Sequence, residues 1–159
     1  MLKANAIITN GADVNADSKK PRYRIEGDRV TPLHEAMGIR SAEVAMAMTK
    51  LLISHGADVN AATGDFKYSP LHLAVFAENT QVADLLIASG AQIEATDKWG
   101  RTPLHCTATH QRLQTAELLL SKGAQVNLKD EKGRTPLACA RKYKNNKVME
   151  LLWQHGAKE

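Results

Sequence analysis

Three histidines and two cysteines are the residues best equipped to do chemistry in this chain, and their spacing argues that they do none. His34, His72 and His105 are separated by 38 and then 33 residues, and Cys106 and Cys139 also stand 33 apart. Residues that recur once per structural unit are held about one interhelix spacing from each other, roughly 8–10 Å. A zinc ion needs every ligand within about 2.0–2.3 Å of itself. Each imidazole is therefore expected to make a local hydrogen bond between neighbouring units. The two thiols are too far apart for a disulfide, which requires Cα atoms within about 7 Å. They are expected to be reduced, small and buried. Neither has a base three or four residues away on its own helix face, and no phosphate loop, serine elbow or paired-cysteine zinc spacing occurs. With acids scattered one or two per unit, the sequence argues against an enzyme, a metal site and a bound cofactor.

The phrases around these residues show which elements must hold them. Thr31-Pro32-Leu33-His34, Ser69-Pro70-Leu71-His72, Thr102-Pro103-Leu104-His105 and Thr135-Pro136-Leu137-Ala138 are four copies of one phrase. Gly-Ala pairs at 11–12, 56–57, 90–91, 123–124 and 156–157 keep step with them. In each copy the hydroxyl residue is placed to cap a helix and the proline fills the first helical position, where it has no hydrogen bond to lose. In the copy from Asp97 to Asn127, Leu104 and Ala108 share one helix face. The chain then turns near Gln111-Arg112, and a second helix carries Ala116 and Leu118-Leu119-Leu120 up to Gly123. Helices of about ten residues are marginal alone, so each must be stabilised by its neighbours, and stability becomes a sum over interfaces.

A fixed period of this length marks a stacked repeat protein. The four phrases, the Gly-Ala pairs and Ala57-Asp58-Val59-Asn60 resemble the ankyrin repeat family over nearly the whole chain. The resemblance implies an all-α solenoid of about four and a half repeats. Antiparallel helix pairs would be joined by projecting β-hairpin loops, in an L-shaped stack with a concave face. One domain over 1–159 is expected. It comprises a partial N-terminal repeat at 1–15, internal repeats at 31–60, 69–94 and 102–127, and a C-terminal capping repeat at 135–159.

The copies differ in informative ways. Residues 1–11 read as a second helix without a first, which allows the chain to start inside a longer array or to self-associate there. The 20 residues from Gly11 to Thr31, against 12 in the regular copies, enlarge the first loop around Lys19-Lys20-Pro21-Arg22-Tyr23-Arg24. Four extra residues near 40–47 should add about one helical turn. Gly64 to Tyr68 carries one more residue at a loop tip. Trp153 takes the place of Leu120 and Ile87 and is expected to lie as a lid on the last core layer. His55 and His155 precede helix-ending glycines, where a partly cationic ring suits the helix dipole. Asn15, Asn60 and Asn127 each follow Val in the approach to a loop and should satisfy backbone groups there.

The family resemblance places partner contacts at loop tips and on the exposed face of the first helix. By position these are Phe66, Tyr68, Lys98, Trp99, Arg101, Lys132 and Arg134 in the loops. On the first helices they are Phe76, Thr109, His110, Lys142 and Tyr143. Five of the seven aromatics of the chain fall in this set, and aromatic and Arg side chains are the commonest interface anchors. Phe76 and Tyr143 could instead pack within the stack, whereas Trp99, just before Gly100, is expected to be exposed.

Composition bounds the remainder. Hydrophobic residues at 43% and charged residues at 24% fit a soluble folded chain. Aromatics at only 4% require a core of Leu, Ile, Val and Ala. No signal peptide is evident, and the longest apolar run falls far short of the roughly 20 residues that cross a bilayer. An intracellular, cytoplasmic protein is expected, with nuclear entry if the Lys19–Arg24 run acts as an import signal.

Charge is uneven. Leu51 to Asp97 holds six acids and one base, and Lys122 to Lys147 holds eight bases and two acids. The leading expectation is a monomeric protein-binding module without membrane contact, which could also serve as the targeting segment of a larger effector or enzyme. Nucleic-acid association has only the basic C-terminal end and the Lys19–Arg24 loop in its favour, without aromatics interleaved on one basic strip.

Overall fold

A computed structural model describes residues 12–17 and 29–158. The expected half-repeat at 1–11 and the Lys19–Arg24 run lie outside the described residues. Among the described residues four helix pairs follow one another: α1 (Pro32–Met37) with α2 (Ala42–Ser54), α3 (Pro70–Phe76) with α4 (Thr80–Ala88), α5 (Pro103–His110) with α6 (Leu113–Ser121), and α7 (Pro136–Lys142) with α8 (Asn146–Gln154). The first helices stack as an inner row and the second helices as an outer row. This is the expected all-helical solenoid. Among the described residues no helix is long and apolar enough to cross a membrane.

The repeated phrase explains the inner row. Thr31, Ser69, Thr102 and Thr135 hold extended backbone (ψ 164, 163, 166 and 165°), and a proline follows each as the first helical residue. Leu33, Leu71, Leu104 and Leu137 are at most 1% exposed and meet Leu52, Leu86, Leu119 and Leu152 of the outer row. Small residues such as Ala74, Cys106, Ala108 and Ala140 fill the space between, so the rows approach closely without large rings. Both cysteines are free and buried. At the other end of each pair, Gly90 takes φ +92° after α4, and Ala91 N–H closes on the Leu86 carbonyl at 2.9 Å. A left-handed glycine is the cheapest way to satisfy that carbonyl.

The histidines lock one repeat to the next. His34, His72 and His105 are fully buried. Each Nδ1 accepts the backbone N–H of its own capping residue, at 3.1, 3.3 and 3.2 Å. Each Nε2 donates to a carbonyl of the following loop: Ala61 at 2.9 Å, Arg101 at 3.0 Å and Arg134 at 3.0 Å. A carbonyl can only accept, which fixes the Nε2–H tautomer. Burial pushes the His72 and His105 pKa values below 6.5, against the opposing pull of those carbonyl bonds.

The asparagines form a second set of rungs. Asn60 Nδ2 donates to the Gly90 carbonyl at 3.1 Å while its Oδ1 accepts Gln92 N–H at 2.8 Å. Asn15 does the same with Gly56 and Asp58, and Asn127 with Gly156 and Lys158. His55 and His155, at the ends of α2 and α8, each bond through Nδ1 to a last-turn carbonyl, Leu51 and Leu151, at 2.9 Å.

Three details refine the sequence reading. Helix α2 has 13 residues where the other outer helices have 9, which is the expected extra turn. The loops form no β-strand among the described residues. A bond between the ends closes each, Thr63 N–H to Tyr68 carbonyl (2.9 Å), Asp97 to Arg101 (3.0 Å) and Asp130 to Arg134 (2.9 Å), and in the last two Gly100 and Gly133 N–H also reach back to the aspartate carbonyl. Loops this short leave no room for a ladder. Trp153 is not a covered lid: it is 48% exposed, whereas Leu120, at the same place one repeat earlier, is buried where α8 packs on its helix.

Candidate functional site

The loops between repeats project as fingers, and two kinds of chemistry build them. In the fingers at 97–101 and 130–134 a buried aspartate organises everything. Asp97 Oδ1 accepts the N–H groups of Trp99 (2.9 Å) and Arg101 (3.0 Å), and Oδ2 accepts the Arg101 guanidinium through Nε (2.8 Å) and Nη2 (2.7 Å). Asp130 repeats this with Lys132 N–H and Arg134. Burial works against the Asp130 charge, but the Arg134 and backbone bonds prevail and hold its pKa below the usual aspartate value. In the finger at 63–68 the fork is gone. Thr63 Oγ1 accepts Tyr68 N–H at 2.9 Å, and Tyr68 stands where the others carry arginine.

That exchange brings the rings together. Phe66 and Tyr68 lie two apart on one side of their finger and stack with centroids 5.6 Å apart and planes 8° from parallel. Trp99, in the next finger, meets Phe66 at 5.7 Å and Tyr68 at 6.2 Å. Tyr68 meets Phe76 of α3 edge-on at 5.0 Å, and Phe76 meets His110 of α5 at 4.9 Å. The result is a hook of rings that starts at a finger tip, passes through the preceding repeat and returns at the end of the next inner helix. Aromatic contacts of this kind contribute about 0.5–1.5 kcal/mol each beyond area burial. Burial raises the Tyr68 phenol pKa, and the Arg101 charge pulls the other way.

Cations lie on the ring faces. Lys98 Nζ sits 3.6 Å from the Phe66 centroid and 4.6 Å from that of Trp99, and Arg101 Cζ is 4.4 Å from Trp99. Backbone bonds tie the fingers in line: Lys98 N–H to the Phe66 carbonyl and Glu131 N–H to the Trp99 carbonyl, both 3.0 Å.

Eight of the twelve expected contact residues thus form one constellation: Phe66, Tyr68, Phe76, Lys98, Trp99, Arg101, Thr109 and His110. Thr109 enters through His110, with Oγ1 2.7 Å from its Nδ1. The other four stand one repeat on. Lys132 is exposed at the next tip, and Lys142 lies 5.7 Å over the exposed ring of Tyr143 at the end of α7. Arg134, like Arg101, differs from the expectation of a free contact side chain, because its guanidinium is committed to a buried aspartate. Trp99 is half-buried among its neighbours where an exposed ring was expected. Phe76 packs partly against the core, as its alternative reading allowed, while Tyr143 does not.

Sequence reading missed one grouping. Ligand-type atoms of His72, Asp97 and Cys106 all lie within 4.8 Å of one another, in full burial. Their chemistry does not suit a metal. His72 uses both nitrogens on Ser69 and Arg101, both Asp97 oxygens accept from the finger, and burial pushes the Cys106 thiol up to about 12, so it stays protonated. The cluster is the joint between inner helix and finger. The sequence signal was present in Asp97 standing four before Arg101, but in a loop that spacing has no fixed geometry.

The charge contrast along the chain also changes in three dimensions. Every acid of the acidic middle is engaged within the protein: Glu78 with Arg112 (2.7 Å), Asp84 with Lys122 (2.8 Å), Asp97 with Arg101, Asp58 and Glu94 with backbone amides, and Asp65 in a contact of its own.

A family model described as ankyrin repeats (three copies) matches residues 3–97 and, in a second match, 71–159. A putative ankyrin repeat protein, L91, of Acanthamoeba polyphaga mimivirus is 38% identical over 66 residues, covering 35% of this chain and 10% of its own length. The BRCA1-associated RING domain protein 1 of Caenorhabditis elegans is 36% identical over 74 residues, covering 46% of this chain and 10% of its own. The matches span about a tenth of the length of these curated relatives.

Proposed function

Because the chain belongs to the ankyrin repeat family, whose repeats are general protein–protein interaction modules, we propose that it binds another protein through its fingers and inner helices and performs no catalysis itself. The hook of rings from Trp99 through Phe66, Tyr68 and Phe76 to His110 carries this reading. It gathers most of the aromatic surface of a ring-poor chain onto one face, half-buried and held by a stiff frame. Rings held in place lose little freedom when a partner docks, so more of the contact energy appears as affinity. The buried Asp–Arg forks and the His rungs supply that stiffness.

Site-specific photocrosslinking tests the reading. A benzoylphenylalanine at position 66 or 76, installed in the cell of origin, should give discrete protein adducts. The same group at Gln81 or Glu117, exposed on the outer helices, should not. Adducts of equal yield from both faces, or from the outer face alone, would remove the basis for this assignment. Arg101 is unsuitable as a probe of contact, since removing it strands the Asp97 carboxylate.

A further inference from the structure

Resting on the binding face assigned above, we infer that its partner is an acidic peptide segment carrying an aliphatic side chain, with its carboxylates directed at Lys98, Lys132 and Lys67.

The charge accounting points this way. With the acids of residues 51–97 engaged internally, the finger lysines are left over. Lys67, Lys98 and Lys132 occupy three consecutive fingers, and among the described residues no carboxylate pairs with any of them. Lys142 at the end of α7 lies over the Tyr143 ring, 5.7 Å from its centroid. Against them stands Glu131, exposed in the finger of Lys132, so the face keeps an excess of positive charge.

The ring geometry points the same way. Lys98 Nζ rests on Phe66 and Trp99, so those rings desolvate one side of the ammonium and leave the other for an anion. A partner carboxylate there completes a carboxylate–ammonium–ring stack in a setting drier than open water, where the pairing is stronger. The same geometry disfavours a nucleic acid. Single strands bind by stacking bases on free aromatic faces. Here Phe66 has Tyr68 stacked at 5.6 Å as well as Lys98 at 3.6 Å, and Trp99 carries both Lys98 and Arg101. Of the hook's other rings, Tyr68 and Phe76 stay part-exposed and His110 is exposed, a surface that suits a leucine or isoleucine side chain.

Selection of random peptides displayed on phage against the full chain tests this without choosing the answer beforehand. Enriched peptides should be rich in Asp and Glu around a Leu, Ile or Val. Synthetic copies should bind at least about tenfold more weakly to Lys98→Glu and to Lys132→Glu. Because Lys132 is exposed and touches no ring, its variant separates charge loss from any disturbance of the hook. A copy with the acids changed to lysine should regain affinity for the Lys98→Glu protein, and added salt should weaken the wild-type pair. Basic or uncharged winners that are lost on Phe76→Ala would overturn the acidic partner and keep the binding face. Winners indifferent to both Phe76→Ala and the lysine variants, or no enrichment at all, would overturn both. Displacement of the peptide by a single-stranded oligonucleotide of equal potency would also overturn it, showing a general anion site.

Discussion

The fingers at 97–101 and 130–134 are nearly the same object. Each has an aspartate buried to within 1% and an arginine four residues on, joined at 2.7 and 2.6 Å. Each has a left-handed glycine, at φ +71° and +70°, and a carbonyl offered to the preceding histidine. They differ where nothing in the frame depends on the residue: Lys98-Trp99 in one, Glu131-Lys132 in the other. Identical positions therefore carry the fold, and the varied ones are where the proposed recognition would lie. Arg101 and Arg134, attractive as contact residues by type, belong to the first group.

The comparison breaks most severely at the aspartate. Asp97→Ala leaves Arg101 half-buried without its partner and frees two backbone amides. Breaking a buried pair costs about 3–5 kcal/mol, and a domain of this size loses about 2–4 °C per kcal/mol. A drop in Tm of about 10 °C is expected by calorimetry. Asp130→Ala should cost less. Its finger is tied to one neighbouring finger among the described residues, while the finger at 97–101 is tied to two. Equal losses would show that the links between fingers contribute nothing.

The glycines sharpen the same contrast. A Cβ on Gly100 would meet Glu131 N at 2.9 Å, and one on Gly133 would meet nothing within 4 Å. Gly133→Ala therefore costs only its left-handed backbone, about 1 kcal/mol. Gly100→Ala should cost about twice that and loosen the Glu131–Trp99 bond, seen as faster amide exchange at Glu131. Lys67 takes the equivalent place in the finger at 63–68 with φ +53°, so a side chain is tolerated on the left-handed backbone of that finger.

Histidine distinguishes the repeats in a third way, through pH. Because the folded pKa values of His72 and His105 lie below 6.5, the unfolded chain binds more protons between the two values. Their contribution is complete above about 6.5 and is lost as pH falls through the folded values. Asp130, also depressed, adds its own loss at pH below 3.8. Stability should fall in two stages on acidification. His105→Asn should flatten the first stage, and an unchanged slope would show that the imidazoles do not set it. The last repeat, with Ala138 in place of the histidine, makes no such contribution.

Much of this frame was legible before any coordinates. The phrase, the Gly-Ala pairs and the asparagines repeat because each satisfies a backbone group whose position the stack repeats, so spacing alone revealed them. The four extra residues near 40–47 could be placed because only a whole turn keeps α2 in register. Other features depend on neighbours that periodicity does not see. Trp153 matches Leu120 in the pattern, yet its exposure is set by what lies beyond it. The family resemblance put five rings among the expected contact positions, but the crossing of Tyr68 to Phe76 and of Phe76 to His110 follows from the stacking of whole repeats. The pairs Arg112–Glu78 and Lys122–Asp84 join residues 34 and 38 apart, so a linear tally of charge could not cancel them.

The smallest expected effect concerns the asparagine rungs, three of which are regular and one of which is not. At the equivalent place in the third copy stands Glu94. Its Oε1 accepts Gln125 N–H at 2.6 Å, as an asparagine Oδ1 would, but Oε2 is buried without a partner. A carboxylate has no N–H to give the Gly123 carbonyl, the group that Asn60 and Asn127 satisfy at Gly90 and Gly156. Glu94→Asn replaces an unpaired acceptor with the missing donor. One hydrogen bond gained, with one buried unsatisfied atom removed, is worth about 1 kcal/mol. The variant should therefore melt about 2–4 °C above the wild type. Asn60→Glu, which carries the irregular rung into a regular repeat, should lower Tm by a similar amount. If both changes left the melting temperature alone, the asparagine amides would be ornaments of a stack already held by its leucines and histidines.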